Sequence, residues 1–405
     1  MNQDDILDSI FSKAISGKGI FKDPSVLKTD YIPQQLLFRD KQVKIIGEVL
    51  SPLLRGSKCS NLLLYGKTGT GKTAASLYVL RKLKEKAIER NLIISFPFSN
   101  ARVAGTEYRV LTDIAEYLDL KIPFTGLAVS EVAKRVLSTI EKKGTLTVII
   151  LDEVDYLVKS HGSNLLYELT RANERLQSGF ISIIGISNDL NFKDYLDPRV
   201  ISSLSEEEIV FPPYTVNELQ KILAQRAENA FHSNSISSAA INLCAALAGA
   251  EHGDARRAID LMRVSAEIAD RENSHSLTED HVRTALQKIE EDRITDSLKT
   301  LPIHPKILLL IILLTGDELT TGEVYSKYRD ACKKIGVGEV TQRRTSGILN
   351  ELQLIGLIST EVVSHGRYGR TKKIQALIHN SNMVDIISDD PMLKSMIQNP
   401  SKNFG

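Results

Sequence analysis

Eight residues, Gly66-Lys67-Thr68-Gly69-Thr70-Gly71-Lys72-Thr73, follow the pattern G-x-x-x-x-G-K-[ST] directly after the apolar run Leu62-Leu63-Leu64-Tyr65. In that context a strand delivers a loop whose backbone N–H groups wrap phosphates, and the helix opening at once adds its positive dipole end. Lys72 is placed to reach the β- and γ-phosphates, and Thr73, followed by Ala74, to ligate Mg²⁺. A second apolar run, Thr147 to Leu151, ends in Asp152 and Glu153. Asp152 would hold the magnesium and Glu153 would polarise an attacking water, so the pair points to ATP hydrolysis to ADP as well as binding. Either motif alone has a plainer reading, a Gly-rich turn or a solvated acidic turn, but neither plain reading explains both.

Three further residues extend the same chemistry. Asn188 ends the run Ile181 to Ser187, where a side-chain amide can orient the lytic water or sense a γ-phosphate. In Gly253-Asp-Ala-Arg256-Arg257, a guanidinium stands at a helix start and can swing onto phosphates. Arg199, in Leu196-Asp-Pro-Arg199-Val200, is a candidate to act in trans on a neighbouring subunit's ATP. Roughly 80 residues separate Lys72 from Asp152, room for an extra strand and helices, and N-K-x-D is absent. Adenine is the expected base.

Elements that could position these residues are legible around them. From 31 to 213, apolar β-type runs (Asn61 to Tyr65, Leu92 to Pro97, Thr147 to Leu151, Phe180 to Ser187) alternate with helical patterns such as Lys72 to Arg90 and Glu107 to Leu118. That alternation predicts a parallel sheet covered by helices. After Pro212 and Pro213 only helices follow, at Val216 to Phe231, Ser237 to Ala248, Ala255 to Arg271 and Thr278 to Glu290, so 214–295 reads as a helical lid domain. Residues 1–30, with a short amphipathic stretch at Ile6, Ile10, Phe11 and Ile15, give no fold of their own. The segment 381–405, rich in Ser, Asn and Asp, reads as a loosely ordered tail.

The chain has 405 residues, enough for two or three domains, and 51 basic against 50 acidic side chains, so any basic surface must be local. Cys59, Cys244 and Cys332 are odd in number and lack metal-ligand spacing. Asp4, Asp5 and Asp8 stand where an export signal would be basic, and the apolar run Ile307 to Leu314 is too short to span a bilayer. The expectation is a cytoplasmic, nucleoid-associated protein with no membrane partner.

Residues 296–380 show three helical patterns and then a hairpin, the order of a winged helix-turn-helix. The third helix has Thr341 as N-cap and is expected to bury Ile348, Leu352 and Ile355, leaving Gln342, Arg343, Arg344 and Thr345 projecting for phosphate and base-edge contact. The turn Ser364-His-Gly-Arg367-Tyr368-Gly-Arg370-Thr-Lys372-Lys373 reads as a cationic wing. From 327 to 373 there are ten Lys or Arg against four acids, a local excess that favours DNA over a protein-binding winged helix.

With these motifs in place the chain resembles the archaeal origin-recognition and replication-initiator proteins. These are AAA+ proteins related to the eukaryotic origin recognition complex subunits and the cell-division-cycle helicase loader. The marks are Asp30-Tyr31-Ile32-Pro33 with Leu37-Phe38-Arg39-Asp40, the phosphate loop, Leu151-Asp-Glu-Val-Asp155, Phe211-Pro-Pro-Tyr214, Gly253-Asp-Ala-Arg256 and the wing, covering about residues 30–380. The resemblance implies an α/β AAA+ P-loop module with helical lid, followed by a winged-helix domain. It also implies that Tyr31, Ile32, Pro33 and Arg39 lie on the base side, with Tyr214 and Arg226 beside the nucleotide. An initiator-specific helix is implied over Asn100 to Leu118, making Arg102 and Thr106 candidates for touching DNA from the ATPase core. Phe98-Ser99-Asn100-Ala101 departs there from the Asn-Cys pair frequent in the family. The implied activity is ATP-dependent binding of double-stranded origin DNA and recruitment or loading of the replicative helicase, with weak hydrolysis as a switch and self-association or a paralogue on DNA. A clamp-loader-type subunit is the rival enzyme, opposed by the winged helix. An ATP-binding transcriptional or signalling regulator is the rival non-enzyme, opposed by Glu153 and Asn188.

Overall fold

A computed structural model describes residues 11, 19–204, 207–316, 318–364, 370–377, 381–388 and 390–394. The chain divides into two compact units, Met1–Ala285 and Leu286–Gly405.

The first unit contains α1 (Asp40–Leu50), β1 (Leu62–Tyr65), α2 (Lys72–Glu89), β2 (Ile94–Ser95), β3 (Phe98–Asn100), α3 (Ala101–Ala104), α4 (Glu107–Tyr117) and α5 (Val129–Lys143). It continues through β4 (Leu146–Asp152), α6 (Val154–His161), α7 (Asn164–Thr170), β5 (Phe180–Ser187), α8 (Pro198–Leu204) and β6 (Glu207–Val210). The sheet order is β2-β4-β5-β1-β6, with β3 also pairing β4, and every pairing is parallel. All four residues of β1 and all eight of β5 are buried, as expected of central strands covered on both faces. One core packs α4, α5 and α6 on the sheet through residues such as Leu111, Ile114, Val136 and Leu157. The other packs α1 and α2 through Ile46, Leu50, Ala75 and Leu80. Each fully buried Leu or Ile contributes about 1.5–3 kcal/mol. Together these layers fix the strand ends that carry the chemistry.

The expected strand Leu92 to Pro97 is instead two short pieces, β2 and β3, on either side of Phe96 and Pro97; Pro97 lacks a ladder donor. Strand β6 escaped the sequence reading because Glu207-Glu208-Ile209-Val210 is short and acidic, with only Ile209 buried at the sheet edge. The helix expected over Glu107 to Leu118 is α4, and the segment implied for an initiator-specific helix, Asn100 to Leu118, holds α3 as well, separated from α4 at Gly105, which adopts a left-handed φ of 72°.

Four helices complete the unit's lid: α9 (Val216–Ala230), α10 (Ser238–Ala250), α11 (Ala255–Arg271) and the beginning of α12 (Glu279–Thr300). Thr215 and Glu218 form a reciprocal capping box that starts α9. Residues 19–30, expected to give no fold of their own, are ordered by packing on the lid. Ile20, Val26 and Leu27 are buried, the Lys22 and Asp23 N–H groups donate to Ala230 O, and Phe21 packs on Phe231 with ring centroids 5.5 Å apart. Ile6, Ile10 and Ile15 lie outside the described residues.

In the second unit, α13 (Ile303–Thr315), α14 (Thr321–Ile335) and α15 (Gln342–Leu354) pack on a three-stranded sheet ordered β7 (Leu319–Thr320), β9 (Arg370–Ala376), β8 (Ile358–Ser364). Ile307, Leu310, Tyr328, Leu349 and Ile374 form its core. The expected loose tail begins instead with α16 (Ser381–Ser388), whose Met383 and Ile387 are buried in that core together with Leu393. Their helical spacing outweighed the polar composition.

Candidate functional site

Strands β1, β4 and β5 are neighbours, so their C-terminal ends bring three separate sequence segments together. β1 releases the phosphate loop, β4 ends in Asp152, and β5 hands the chain to Asn188. Glu153 takes a left-handed φ of 51°, which breaks the strand and lets α6 begin at the next residue. The loop glycines have structural reasons of their own. A Cβ on Gly69 would lie 1.6 Å from Asp254 Oδ1, and one on Gly71 would lie 2.7 Å from Tyr214 Oη. The loop is therefore packed directly on the start of the lid helix α11 and on the linker that precedes the lid.

Lys72 is buried, and its Nζ donates to Gly66 O at 2.7 Å, Lys67 O at 2.8 Å and Asn188 Oδ1 at 2.8 Å. Burial lowers its pKa to about 8, offset in part by Asp152, so it stays mostly cationic at neutral pH. Thr73 Oγ1 donates to Asp152 Oδ2 at 2.9 Å, and the Glu153 N–H donates to Asp152 Oδ1 at 2.9 Å. Burial raises Asp152 above the usual carboxylate range, against the lowering effect of those hydrogen bonds. A hydroxyl and a desolvated carboxylate in contact are a donor set suited to a small hard cation. Glu153 is mostly covered, and its Oε2 lies 3.5 Å from Nη1 of the exposed Arg102.

A cavity of about 350 Å³ joins these groups, lined by Thr68, Gly69, Gly71, Lys72, Thr73 and Ala74 from the loop and by Asp152, Glu153 and Asn188 opposite. Tyr31, Ile32, Pro33, Tyr214, Arg226 and Arg256 also border it. Arg256 is exposed and makes no hydrogen bond or ion pair among the described residues, whereas its neighbour Arg257 is paired with Glu251. The guanidinium nearest the phosphate side is thus the uncommitted one. Sequence reading missed Leu77, Ile222 and Ile259, apolar residues that also line the cavity. Ile222 precedes Arg226 by one helical turn and Ile259 follows Arg256 by three residues, so helical spacing from those arginines would have found them.

One base-side expectation needs revision. Arg39 does not line the cavity: it is 2% exposed, and its Nε donates to Thr70 O at 2.9 Å, Nη1 to Phe38 O at 3.0 Å and Nη2 to Pro212 O at 2.7 Å. Its guanidinium also stacks 3.7 Å from the Tyr214 ring centroid. It clips the phosphate loop to the linker before the lid, so Gly66, Lys67 and Thr70 form the back of the loop and not the cavity wall. Arg39→Ala is expected to lower unfolding free energy by about 3 kcal/mol by stranding these carbonyls, measured by urea unfolding; a change below about 1 kcal/mol would contradict the clip. Arg226 borders the cavity, but its donors serve Val26 O at 3.0 Å and Tyr31 O at 3.3 Å, with the Tyr31 ring 4.6 Å away. It holds the base-side segment in place.

Arg199 lies away from the cavity, in a two-bond pair with Asp197 (3.0 and 2.8 Å) and over the Tyr167 ring. That pairing pulls Asp197 down to about 2. Thr106 caps α4 by accepting the Arg109 N–H, while Arg102 remains on the surface.

In the second unit Thr341 caps α15 as expected, accepting the Arg344 N–H. Gln342, Arg343 and Arg344 are exposed, but Thr345 is fully buried, its hydroxyl donating to Thr341 O at 3.2 Å. It faces the core because it falls one turn before Leu349 and three residues before Ile348 on the buried stripe. Ile355, expected inside, is 48% exposed just past the helix end. Part of the local basic excess is neutralised internally: Arg344 pairs with Glu351, Arg329 with Glu339 and Lys373 with Glu318. Lys372 donates to Asn350 at 2.8 Å, and Arg343 has no partner among the described residues. Arg367 and Tyr368 lie outside the described residues, as does the Arg370 side chain at the start of β9.

No helix among the described residues is long and apolar enough to cross a membrane. The model of the Cdc6 AAA+ ATPase-type lid domain matches residues 220–287, the CDC6 C terminal winged helix domain 296–385, and an AAA domain 55–190. An ORC1-type DNA replication protein 1 of Sulfurisphaera tokodaii is 47% identical over 388 residues, covering 95% of this chain and 96% of that protein. An ORC1-type DNA replication protein of Thermococcus onnurineus is 44% identical over 402 residues, covering 97% of each. Among solved structures, the Aeropyrum pernix ORC1 protein in complex with DNA superposes with a TM-score of 0.82 at 43% identity, over 93% of this chain and 99% of that one.

Proposed function

This chain belongs to the ORC1-type DNA replication protein family, and on that premise we propose that it is an ATP-dependent initiator that binds origin duplex DNA. Slow hydrolysis of ATP to ADP and phosphate would time the recruitment or loading of the replicative helicase. The observation that carries the reading is the single cavity shared by Lys72, Thr73, Asp152, Glu153, Asn188 and the uncommitted Arg256.

Lys72 binds the β- and γ-phosphates, exchanging its present oxygen partners for phosphate oxygens, and the loop N–H groups cradle the rest. Thr73 and Asp152 would hold Mg²⁺, which would supply positive charge to neutralise the phosphates. Glu153 accepts a hydrogen bond from the attacking water and takes up its proton as water oxygen bonds to the γ-phosphorus and the bond to the β-phosphate oxygen breaks. Asn188 orients that water, and Arg256 stabilises charge on the γ-phosphoryl oxygens. Tyr31, Ile32 and Pro33 enclose adenine. Lid and core are joined at the loop itself, where the Ala255 N–H donates to Gly69 O at 3.1 Å, so phosphate occupancy can bias the lid.

For DNA, exposed Gln342, Arg343 and Arg344 at the start of α15 are the groups that support major-groove contact, with Arg370 and Lys372 on the wing and Arg102 on the ATPase core. Arg343→Ala is expected to weaken duplex binding and to reduce the slope of log K against log[salt] by about 1. The Arg343, Arg344 and Arg370 triple alanine variant should reduce it by about 3. Fluorescence anisotropy across a salt series reads both, and an unchanged slope would place the DNA surface elsewhere.

A further inference from the structure

We propose that Asp155 is a positioning residue for ATP hydrolysis, acting through Asn188; the inference rests on the hydrolytic reading of the site above. Asp155 stands in the first turn of α6, and it does not line the cavity. Its Oδ1 accepts the Asn188 N–H at 3.2 Å, and the Ser187 hydroxyl lies within donating distance of it (3.3 Å) and of Asp189 O (3.0 Å). The Ser187 Oγ in turn accepts the Asp189 N–H at 3.0 Å. One helical turn along the same face, Lys159 is paired with Asp189. Two successive turns of α6 therefore hold both sides of the turn 187–189.

The consequence falls on the residue between them. Asn188 Oδ1 already accepts from Lys72 Nζ at 2.8 Å, so its amide is oriented toward the phosphate end of the cavity. The helix that anchors it is seated firmly. Val154 is fully buried against β5, where Gly185 leaves the space: a Cβ there would lie 3.0 Å from Leu63 Cδ1 and 3.8 Å from Val154 Cγ1. Because α6 begins immediately after Glu153, the same short helix fixes the spacing between the lytic carboxylate and the amide that orients the water. A backbone N–H held by a fixed side-chain acceptor moves less than one left without a protein partner, and small displacements of a water-orienting group act on rate far more than on binding.

Single-turnover hydrolysis and equilibrium ATP binding, measured separately on the full chain, test this. Asp155→Ala should slow hydrolysis by about 10- to 100-fold with ATP Kd changed less than about threefold. Asp155→Asn retains an acceptor for both hydrogen bonds and should restore the rate to within about threefold of the parent. In an Asn188→Ala background, Asp155→Ala should add less than about a twofold further loss, since its effect passes through Asn188. Should Asp155→Ala not fold, Asp155→Glu, which keeps the charge and displaces the carboxylate, takes its place in the same cycle. A parental rate in the Asp155 variant, equal losses of rate and affinity, or losses that multiply across the cycle would each overturn the proposal. Failure of the hydrolytic reading itself is distinguished in the parent chain, where Glu153→Gln would leave the rate unaltered.

Discussion

Lys72→Ala is expected to weaken ATP binding by about 100-fold, corresponding to about 2–3 kcal/mol for a lost charge-assisted contact in a desolvated site. The lysine is buried and held at its position by two loop carbonyls and Asn188, so little ordering remains to be done when phosphate arrives. Alanine removes the charge and leaves Gly66 O, Lys67 O and Asn188 Oδ1 without their shared cationic donor, the last of them on the cavity wall. The loss therefore exceeds that of an exposed lysine, where solvent would take over. Titration with a fluorescent ATP analogue measures it, and an unchanged Kd would remove the phosphate loop from the nucleotide site.

Glu153→Gln is expected to do the opposite: hydrolysis should fall by about 100- to 1,000-fold while ATP affinity stays within about threefold. Glutamine preserves shape but has no basic oxygen for the water's proton. Asp152, Thr73 and Lys72 are untouched by the change, so binding has no reason to follow rate. Only the Arg102 contact is lost besides, and at 3.5 Å from an exposed guanidinium it contributes at most about 1 kcal/mol. Rapid-quench hydrolysis assays read the rate, and equal rates in the two proteins would assign the basic role elsewhere.

Much of this site was legible because its chemistry is carried by contiguous motifs. Gly66 to Thr73 and Asp152-Glu153 sit where strand-and-helix alternation placed them, and Asn188 follows a fully buried strand. What motifs could not convey is the direction in which an arginine points. Arg39 and Arg226 share the polarity expected of ligand contacts, yet both are committed to backbone carbonyls, and only three-dimensional hydrogen-bond accounting separates them from Arg256. Thr345 shows the same limit on a helix. Its residue type suits DNA, but its phase on α15 sends it into the core. Within the segments expected to lack a fold of their own or to be loosely ordered, 19–30 and 381–388 bury few but well-placed residues (Ile20, Leu27, Met383, Ile387), which composition averages away. Strand β6 was hidden for the same reason, its one buried Ile209 standing among acids.

The central claim is that bound nucleotide controls a grip on DNA. Its most direct test is duplex affinity measured on chromosomal origin fragments with Glu153→Gln protein loaded with ATP and again with ADP, at one fixed salt concentration. Kd values should differ by at least about fivefold between the two loaded states, with DNA shifting the ATP-to-ADP preference by the same factor, as linkage requires. Equal DNA affinity in both states would contradict it, leaving a nucleotide site and a DNA surface with no coupling between them.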